Sequence, residues 1–130
     1  MMPGPTVLSG NLLHISGQLP FKDGKVVTGR LGEGLSVGEG QDAAQRCALM
    51  LVAQVKAAIG DLGRVKRIVK LGVFINSHGD FTDQPKVANG ASDLIVQVFG
   101  ETGRHARSAV GVAALPLGVS VEVDAAFEFA

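Results

Sequence analysis

The sequence predicts an α+β domain in which two helices cover one face of a mixed β-sheet. Two segments repeat apolar residues at three- and four-residue steps, the pattern of amphipathic helices. The segments around them alternate apolar and polar residues, as half-buried strands do. The order of strands, helix, strand, helix, strand and strand places both helices on the same side of one sheet.

The two helices are predicted from their apolar stripes and their end signals. The first covers about Gln41 to Ile59, and Gly60 stands where a helix C-cap favours glycine. The stripe of the second runs from Val87 to Phe99. Before it come residues typical of a cap and a first turn, namely Thr82, Asp83 and Pro85.

Glycines modify this pattern at two places. Gly90 lies inside the second helix, where glycine lowers helix stability by about 1 kcal/mol relative to alanine. It indicates either that another segment packs closely at this position or that the glycine has no structural role. The segment "GRLGEGLSVGEGQ" has five glycines among thirteen residues. We expect it to form an extended mobile loop.

The strands are predicted from alternation. In "RIVKLGVFIN" one face carries Val69, Leu71, Val73 and Ile75, and in "VSVEVDAAFEF" one face carries Val119, Val121, Val123, Ala125, Phe127 and Phe129. "NLLHIS" and the segment from Ser108 to Ala114 are two further strands, and "FKDGKVV" is a hairpin around Asp23 and Gly24.

The sheet face without helices is expected to mix polar and apolar side chains. Its members are Glu122, Asp124, His14 or Ser16, Lys70, Phe74 and Ile68. The apolar side chains on this face would be unfavourable if they were left exposed to water. We therefore expect other copies of the chain to cover it.

Length and charge narrow the classes of protein. With 130 residues we expect a single domain over 1–130. Lys plus Arg equals Asp plus Glu at twelve each, and tryptophan and tyrosine are absent, so no nucleic-acid partner is expected. The sequence contains no run of about 20 apolar residues, so no membrane span is predicted. One cysteine and no visible secretory signal favour a cytoplasmic location.

Arg107 and Glu122 are the candidate functional pair. Arg107 directly precedes the strand predicted from Ser108, and Glu122 lies within the next strand. The "LPLG" connection between these strands is short, which predicts that they are antiparallel neighbours. A cross-strand ion pair is one interpretation. The other is an anion site, in which Arg107 grips a carboxylate by two hydrogen bonds and Glu122 acts on water or a proton.

Other reactive side chains carry weaker signals. His14, His78 and His105 have no spacing typical of zinc ligands, so no metal is expected. They are interpreted as ordinary surface or partly packed histidines. Cys47 falls on the apolar stripe of the first helix and is interpreted as core filling.

Three segments resemble a known family. "GNLLHISGQLP", "VKLGVFIN" followed by "DF", and "ARSAVGVAALPLGVSVEVDA" are together similar to the RidA/YjgF family of reactive intermediate deaminases, also known as L-PSP endoribonuclease-like proteins. The resemblance runs from about Gly10 to the C-terminus. It implies a bacterial chorismate mutase-like fold and a homotrimer with sites in the clefts between subunits.

The resemblance also implies an activity and its residues. The activity is hydrolysis of 2-imino or 2-enamino acids to 2-oxo acids and ammonia, without cofactor or metal. Arg107 matches the arginine that binds the substrate carboxylate, and Glu122 matches the acid that positions water. The matching pocket positions are Ser16, Gly17, Asn89 and the backbone at Ala109, with Asn89 shifted by about one residue relative to the family spacing.

The sequence departs from the family at two of these places. The deaminases carry a tyrosine before the first strand that lines the site, whereas this chain has no tyrosine and reads "PGPTV" there. The position two after the arginine is often cysteine and here is Ala109. The alternatives to a deaminase are a non-catalytic trimeric module that binds small carboxylates, an endoribonuclease, and, on fold analogy alone, a chorismate mutase.

Overall fold

The structure is a computed structural model that describes residues 4–130. Nine strands and two α-helices follow one another within this range. In chain order they are β1 (Thr6–Ser9), β2 (Leu12–Gln18), β3 (Phe21–Lys22), β4 (Lys25–Val26), β5 (Arg30–Leu31), β6 (Gly34–Leu35), α1 (Val37–Ile59), β7 (Val65–Asn76), α2 (Gln84–Phe99), β8 (Ala106–Val112) and β9 (Val121–Phe129).

The main sheet is mixed and has the order β1-β2-β9-β7-β8. β7 and β8 are parallel, and the other neighbours are antiparallel. Both α-helices pack on one face, where the inward residues of β7 and β9 meet their apolar stripes. The prediction of two helices on one face of a mixed sheet is confirmed.

The first helix begins earlier than predicted, at Val37 instead of Gln41. Ser36 and Glu39 form a capping box, because the Ser36 hydroxyl accepts a hydrogen bond from the Glu39 N–H and the Glu39 carboxylate accepts one from the Ser36 N–H. The glycine-rich segment 29–41 is therefore not one extended loop. It holds the short parallel pair β5 and β6, and its last residues form the first turn of α1.

A β-bulge in β7 overturns two predicted orientations. The pairing of β7 with β9 shifts register between Ile68 and Lys70. Because an extra residue moves the following side chains to the opposite face, Ile68 is buried in the core and Val69 is 39% exposed. The alternation holds beyond the bulge, where Leu71, Val73 and Ile75 are buried.

The predicted antiparallel pairing of the last two strands is wrong. Among the strands of residues 4–130, β8 pairs only with β7, and β9 lies on the other side of β7. The connection crosses the end of β7 through a 3-10 turn over Pro116–Gly118, in which Leu117 and Gly118 both have positive φ. A short connection suggests a hairpin, whereas α2, which lies between β7 and β8 in the chain, provides the crossover that parallel neighbours require.

Several smaller predictions are confirmed. Asp23 and Gly24 both have positive φ in the β3–β4 hairpin, as a type I′ turn requires. Cys47 is buried, and its Sγ lies 3.5 Å from the Val121 carbonyl oxygen. Gly90 marks close packing, since a Cβ there would overlap the backbone of Gln41 on α1.

Candidate functional site

Arg107 lies inside β8 and not before it, because the strand covers Ala106–Val112 instead of the predicted range from Ser108 to Ala114, and its side chain is on the face that carries the helices. Its register partner on β7 is the buried Leu71, and its guanidinium reaches across to α2. There Nη1 donates to Asn89 Oδ1 at 2.9 Å and to Ser92 Oγ at 3.1 Å, and Nη2 lies 3.4 Å from the Pro85 carbonyl oxygen. All three acceptors are neutral, and Arg107 forms no ion pair within residues 4–130.

His105 and Ser92 stand behind this arginine. His105 Nδ1 is 2.6 Å from the Gly103 carbonyl oxygen, and His105 Nε2 is 2.9 Å from Ser92 Oγ. The same Ser92 oxygen accepts the hydrogen bond from Arg107. The interpretation of His105 as an ordinary, partly packed histidine therefore missed a specific contact with the side chain that holds Arg107.

Glu122 lies on the opposite face of the sheet. Its register partner is Phe74, whereas the neighbours Val73 and Ile75 on β7 point into the core. The Glu122 carboxylate lies directly over Gly17, where a Cβ would overlap it. Burial and, to a smaller extent, the nearby Asp124 raise the pKa of Glu122 above its usual range.

The predicted site residues thus form two groups on opposite faces. Asn89 contacts Arg107 directly, and Ala109 follows two positions later on the same face of β8. Ser16 and Gly17 accompany Glu122 on the other face, where the Ser16 hydroxyl donates to the Pro5 carbonyl at 3.1 Å. Arg107 and Glu122 are not register partners, and their side chains do not contact each other.

A groove runs along the face without helices, next to Glu122. Its volume is about 790 Å³, and it is lined by side chains of β1, β2, β7, β8 and β9, including Val7, His14, Ser16, Lys70, Phe74, Val110 and Asp124. Val110 is 45% exposed and Val7 is 62% exposed. The mixture of apolar and polar residues predicted for this face is confirmed, apart from Ile68.

Asp124 lies in this groove beside Gly72. The absence of a Cβ at Gly72 leaves room for the Asp124 carboxylate. Burial raises the pKa of Asp124, although a hydrogen bond from the Gly72 backbone and the charge of Lys70 act in the opposite direction.

Two other kinds of site find no support in the part of the chain that the structure describes. No group of three His, Cys, Asp or Glu side chains in 4–130 is arranged to hold a metal ion. Burial, with a smaller contribution from Glu122, raises the pKa of the Cys47 thiol, which disfavours the thiolate.

No helix within 4–130 combines the length and apolarity that crossing a bilayer requires.

Sequence reasoning missed Ser92 and the Pro85 carbonyl as partners of Arg107. Ser92 follows Asn89 by three positions, a spacing that places both side chains on one surface of a helix. That spacing is the signal from which Ser92 could have been found. Nothing in the sequence indicated that His105 would reach Ser92, because this contact depends on how α2 packs against β8.

Comparisons with known proteins agree with the fold. A family model described as "YjgF/chorismate_mutase-like, putative endoribonuclease" matches residues 3–127. Protein TCP17 of Trypanosoma cruzi is 64% identical over 124 residues, which cover 94% of this chain and 78% of TCP17.

Solved structures show the same relationship. The protein Atu1372 of Agrobacterium tumefaciens, described as having unknown function, is 51% identical with a TM-score of 0.96, and the match covers 98% of this chain and 82% of Atu1372. RidA from an Antarctic Psychrobacter is 28% identical with a TM-score of 0.66, over 96% of this chain and 86% of that protein. On the family match over almost its whole length and on these relatives, this chain belongs to the YjgF/RidA family, which has the chorismate mutase-like fold.

Proposed function

We propose that this protein hydrolyses reactive 2-imino or 2-enamino acids to 2-oxo acids and ammonia, in clefts between the subunits of a homotrimer. Arg107 binds the substrate carboxylate, and Glu122 positions and deprotonates the attacking water. Ser16, Gly17, Asn89 and the backbone at Ala109 line the pocket. The proposal needs no cofactor and no metal.

The observation that carries the proposal is that the Arg107 guanidinium is held by neutral hydrogen-bond acceptors only. A guanidinium remains charged at any ordinary pH, and here its partners are an amide oxygen, a hydroxyl and a backbone carbonyl. These acceptors orient the planar group without neutralising it. Its positive charge is therefore available to an anion, and a carboxylate matches the fork geometry of arginine.

The separation of Arg107 and Glu122 supports a site made by two copies. Within one copy the sheet lies between the two side chains. A small substrate can contact both only if one copy supplies Arg107 and another supplies Glu122. The exposed apolar side chains on the face without helices, such as Val110, are consistent with contact between copies on that side.

The chemistry requires only orientation and one base. The protonated imine carbon is electrophilic, and water adds to it while Glu122 accepts a proton from that water. Glu122 then returns the proton to the nitrogen. Glu122 then accepts the hydroxyl proton of the carbinolamine as ammonia leaves, which gives the 2-oxo acid, and passes that proton to the departing ammonia as ammonium, so that its carboxylate is regenerated. The raised pKa of Glu122 makes its carboxylate a stronger base than an exposed glutamate.

The test follows hydrolysis of an imino acid that an amino-acid oxidase generates in situ. Arg107→Ala and Glu122→Gln are each expected to lower kcat/KM by about 100-fold, because one removes a charge-assisted clamp and the other removes the base. Arg104→Ala and Glu101→Gln are matched controls, since these two residues form an exposed ion pair with each other at 3.4 Å. Both controls should keep wild-type rates.

The same assay separates catalysis from binding. If the wild type does not accelerate hydrolysis but binds 2-oxo acids in an Arg107-dependent way, the protein is a carboxylate-binding module, which the absence of a tyrosine near the site would favour. If 2-oxo acids do not bind either, Arg107 is not a carboxylate clamp and the proposal is wrong.

A further inference from the structure

We infer that Ser92 and His105 are positioning residues for Arg107, acting through one series of hydrogen bonds that runs from the Gly103 carbonyl to the guanidinium. This inference rests on the proposed role of Arg107 as a carboxylate clamp. It assigns to the reaction two side chains that do not themselves touch the substrate.

The chemistry of the partners determines the direction of the bonds at the two ends of this series, and a neutral His105 ring determines the direction of the bond between them. A backbone carbonyl can only accept, so His105 Nδ1, 2.6 Å from the Gly103 oxygen, carries the hydrogen. In a neutral imidazole Nε2 is then an acceptor, and the Ser92 hydroxyl at 2.9 Å donates to it. Arginine can only donate, so the Ser92 oxygen accepts from Arg107 Nη1 at 3.1 Å.

The consequence is an oriented hydroxyl. A free serine hydroxyl rotates, and its hydrogen can point toward a neighbouring donor as easily as away from it. Here His105 binds the hydroxyl hydrogen and turns a lone pair of Ser92 toward Arg107. Arg107 Nη1 donates to Asn89 Oδ1 as well as to Ser92 Oγ. These two hydrogen bonds fix the plane of the guanidinium before a substrate binds.

The elements around the site make this series rigid. Gly103 is buried, and a Cβ there would overlap the backbone of Ile95 and Val96 on α2, so the turn before β8 is pressed against the helix. Ser92 lies on α2 and His105 directly precedes β8. The series therefore ties the helix to the strand that carries Arg107.

The experiment measures binding of a 2-oxo acid such as 2-oxobutanoate by calorimetry, in the intact protein. Ser92→Ala and His105→Phe are each expected to raise Kd by about 5-fold, because the first removes the oxygen that accepts from Arg107 and the second leaves that hydroxyl free to rotate. The double variant should be no weaker than Ser92→Ala alone, since both changes interrupt the same series. Ser92→Thr keeps the hydroxyl and should restore binding, and Thr82→Ala is the control for deletion of an exposed hydroxyl near the start of α2.

Nitrogen NMR of His105 provides a readout that does not depend on activity. The inference expects hydrogen on Nδ1 in the wild type and a change in the Nε2 chemical shift in Ser92→Ala. Hydrogen on Nε2 instead, or additive losses in the double variant, would overturn it.

The two proposals fail in different ways. If Arg107→Ala abolishes binding while Ser92→Ala and His105→Phe bind like the wild type, the positioning role is wrong and the clamp stands. If Arg107→Ala binds like the wild type, the clamp is wrong, and the positioning role is wrong with it.

Discussion

Asp124 shows how a single charged residue on the sheet affects stability. Burial raises its pKa in the folded protein above its value in an unfolded chain, despite Lys70 and the Gly72 amide. The folded state therefore favours the protonated carboxyl, so this group's contribution to stability falls as pH rises through the folded-state pKa. Asp124→Asn should raise Tm at pH 7, and thermal unfolding across pH measures the change.

The advantage of Asp124→Asn should disappear in acid, below the usual pKa of aspartate, where the wild-type carboxyl is protonated in both states. Asp80→Asn is the matched control, because Asp80 is exposed in the loop before α2. An Asp124→Asn variant that is less stable than the wild type at pH 7 would mean that the Lys70 and Gly72 contacts outweigh burial.

At the scale of elements, the contact between α1 and α2 depends on Gly90. A Cβ at Gly90 would overlap the Gln41 backbone, which cannot move without shifting α1. Although alanine favours the helical conformation, Gly90→Ala is expected to lower the free energy of unfolding by about 2 kcal/mol through overpacking. Chemical denaturation measures this difference.

Gly38 is the matched control for that substitution. It is exposed in the first turn of α1, and the nearest contact of an added Cβ would be Ser36 Oγ at 3.9 Å. Gly38→Ala should stabilise the protein by about 0.5 kcal/mol, because it reduces the freedom of the unfolded chain. Equal effects at both glycines would show that the two helices separate to accept a methyl group.

At the scale of the whole molecule, the face without helices is the surface expected to join copies. A charge at Val110, which is 45% exposed beside the groove, would have to be desolvated in such an interface. Val110→Glu is expected to convert a trimer into monomers, and sedimentation velocity measures the mass. The rate of imine hydrolysis should fall as the trimer dissociates, because the proposed site needs two copies.

Val98→Glu tests whether any exposed valine behaves in the same way. Val98 is 44% exposed on α2, away from the groove. This variant should keep the oligomeric state of the wild type. A wild-type protein that sediments as a monomer would refute the proposed assembly, and with it a site formed by Arg107 and Glu122.

The helices, most strands and the side of the sheet that the helices cover follow from the amino-acid pattern alone. These features depend on local periodicity, which Ala43 to Ile59 and Val119 to Phe129 display without interruption. The family also follows from local motifs around Arg107 and Glu122. The early start of α1 was within reach, because Ser36 and Glu39 have the spacing of a capping box.

The strand order and the contacts between side chains, in contrast, depend on residues that only the folded chain brings together. The bulge that exchanges Ile68 and Val69 depends on the pairing of β7 with β9, and pairing joins residues far apart in sequence. The same holds for β8, which lies beside β7 and so places Arg107 and Glu122 on opposite faces. The contact of Arg107 with Ser92, and through it with His105, likewise exists only because α2 packs across β8.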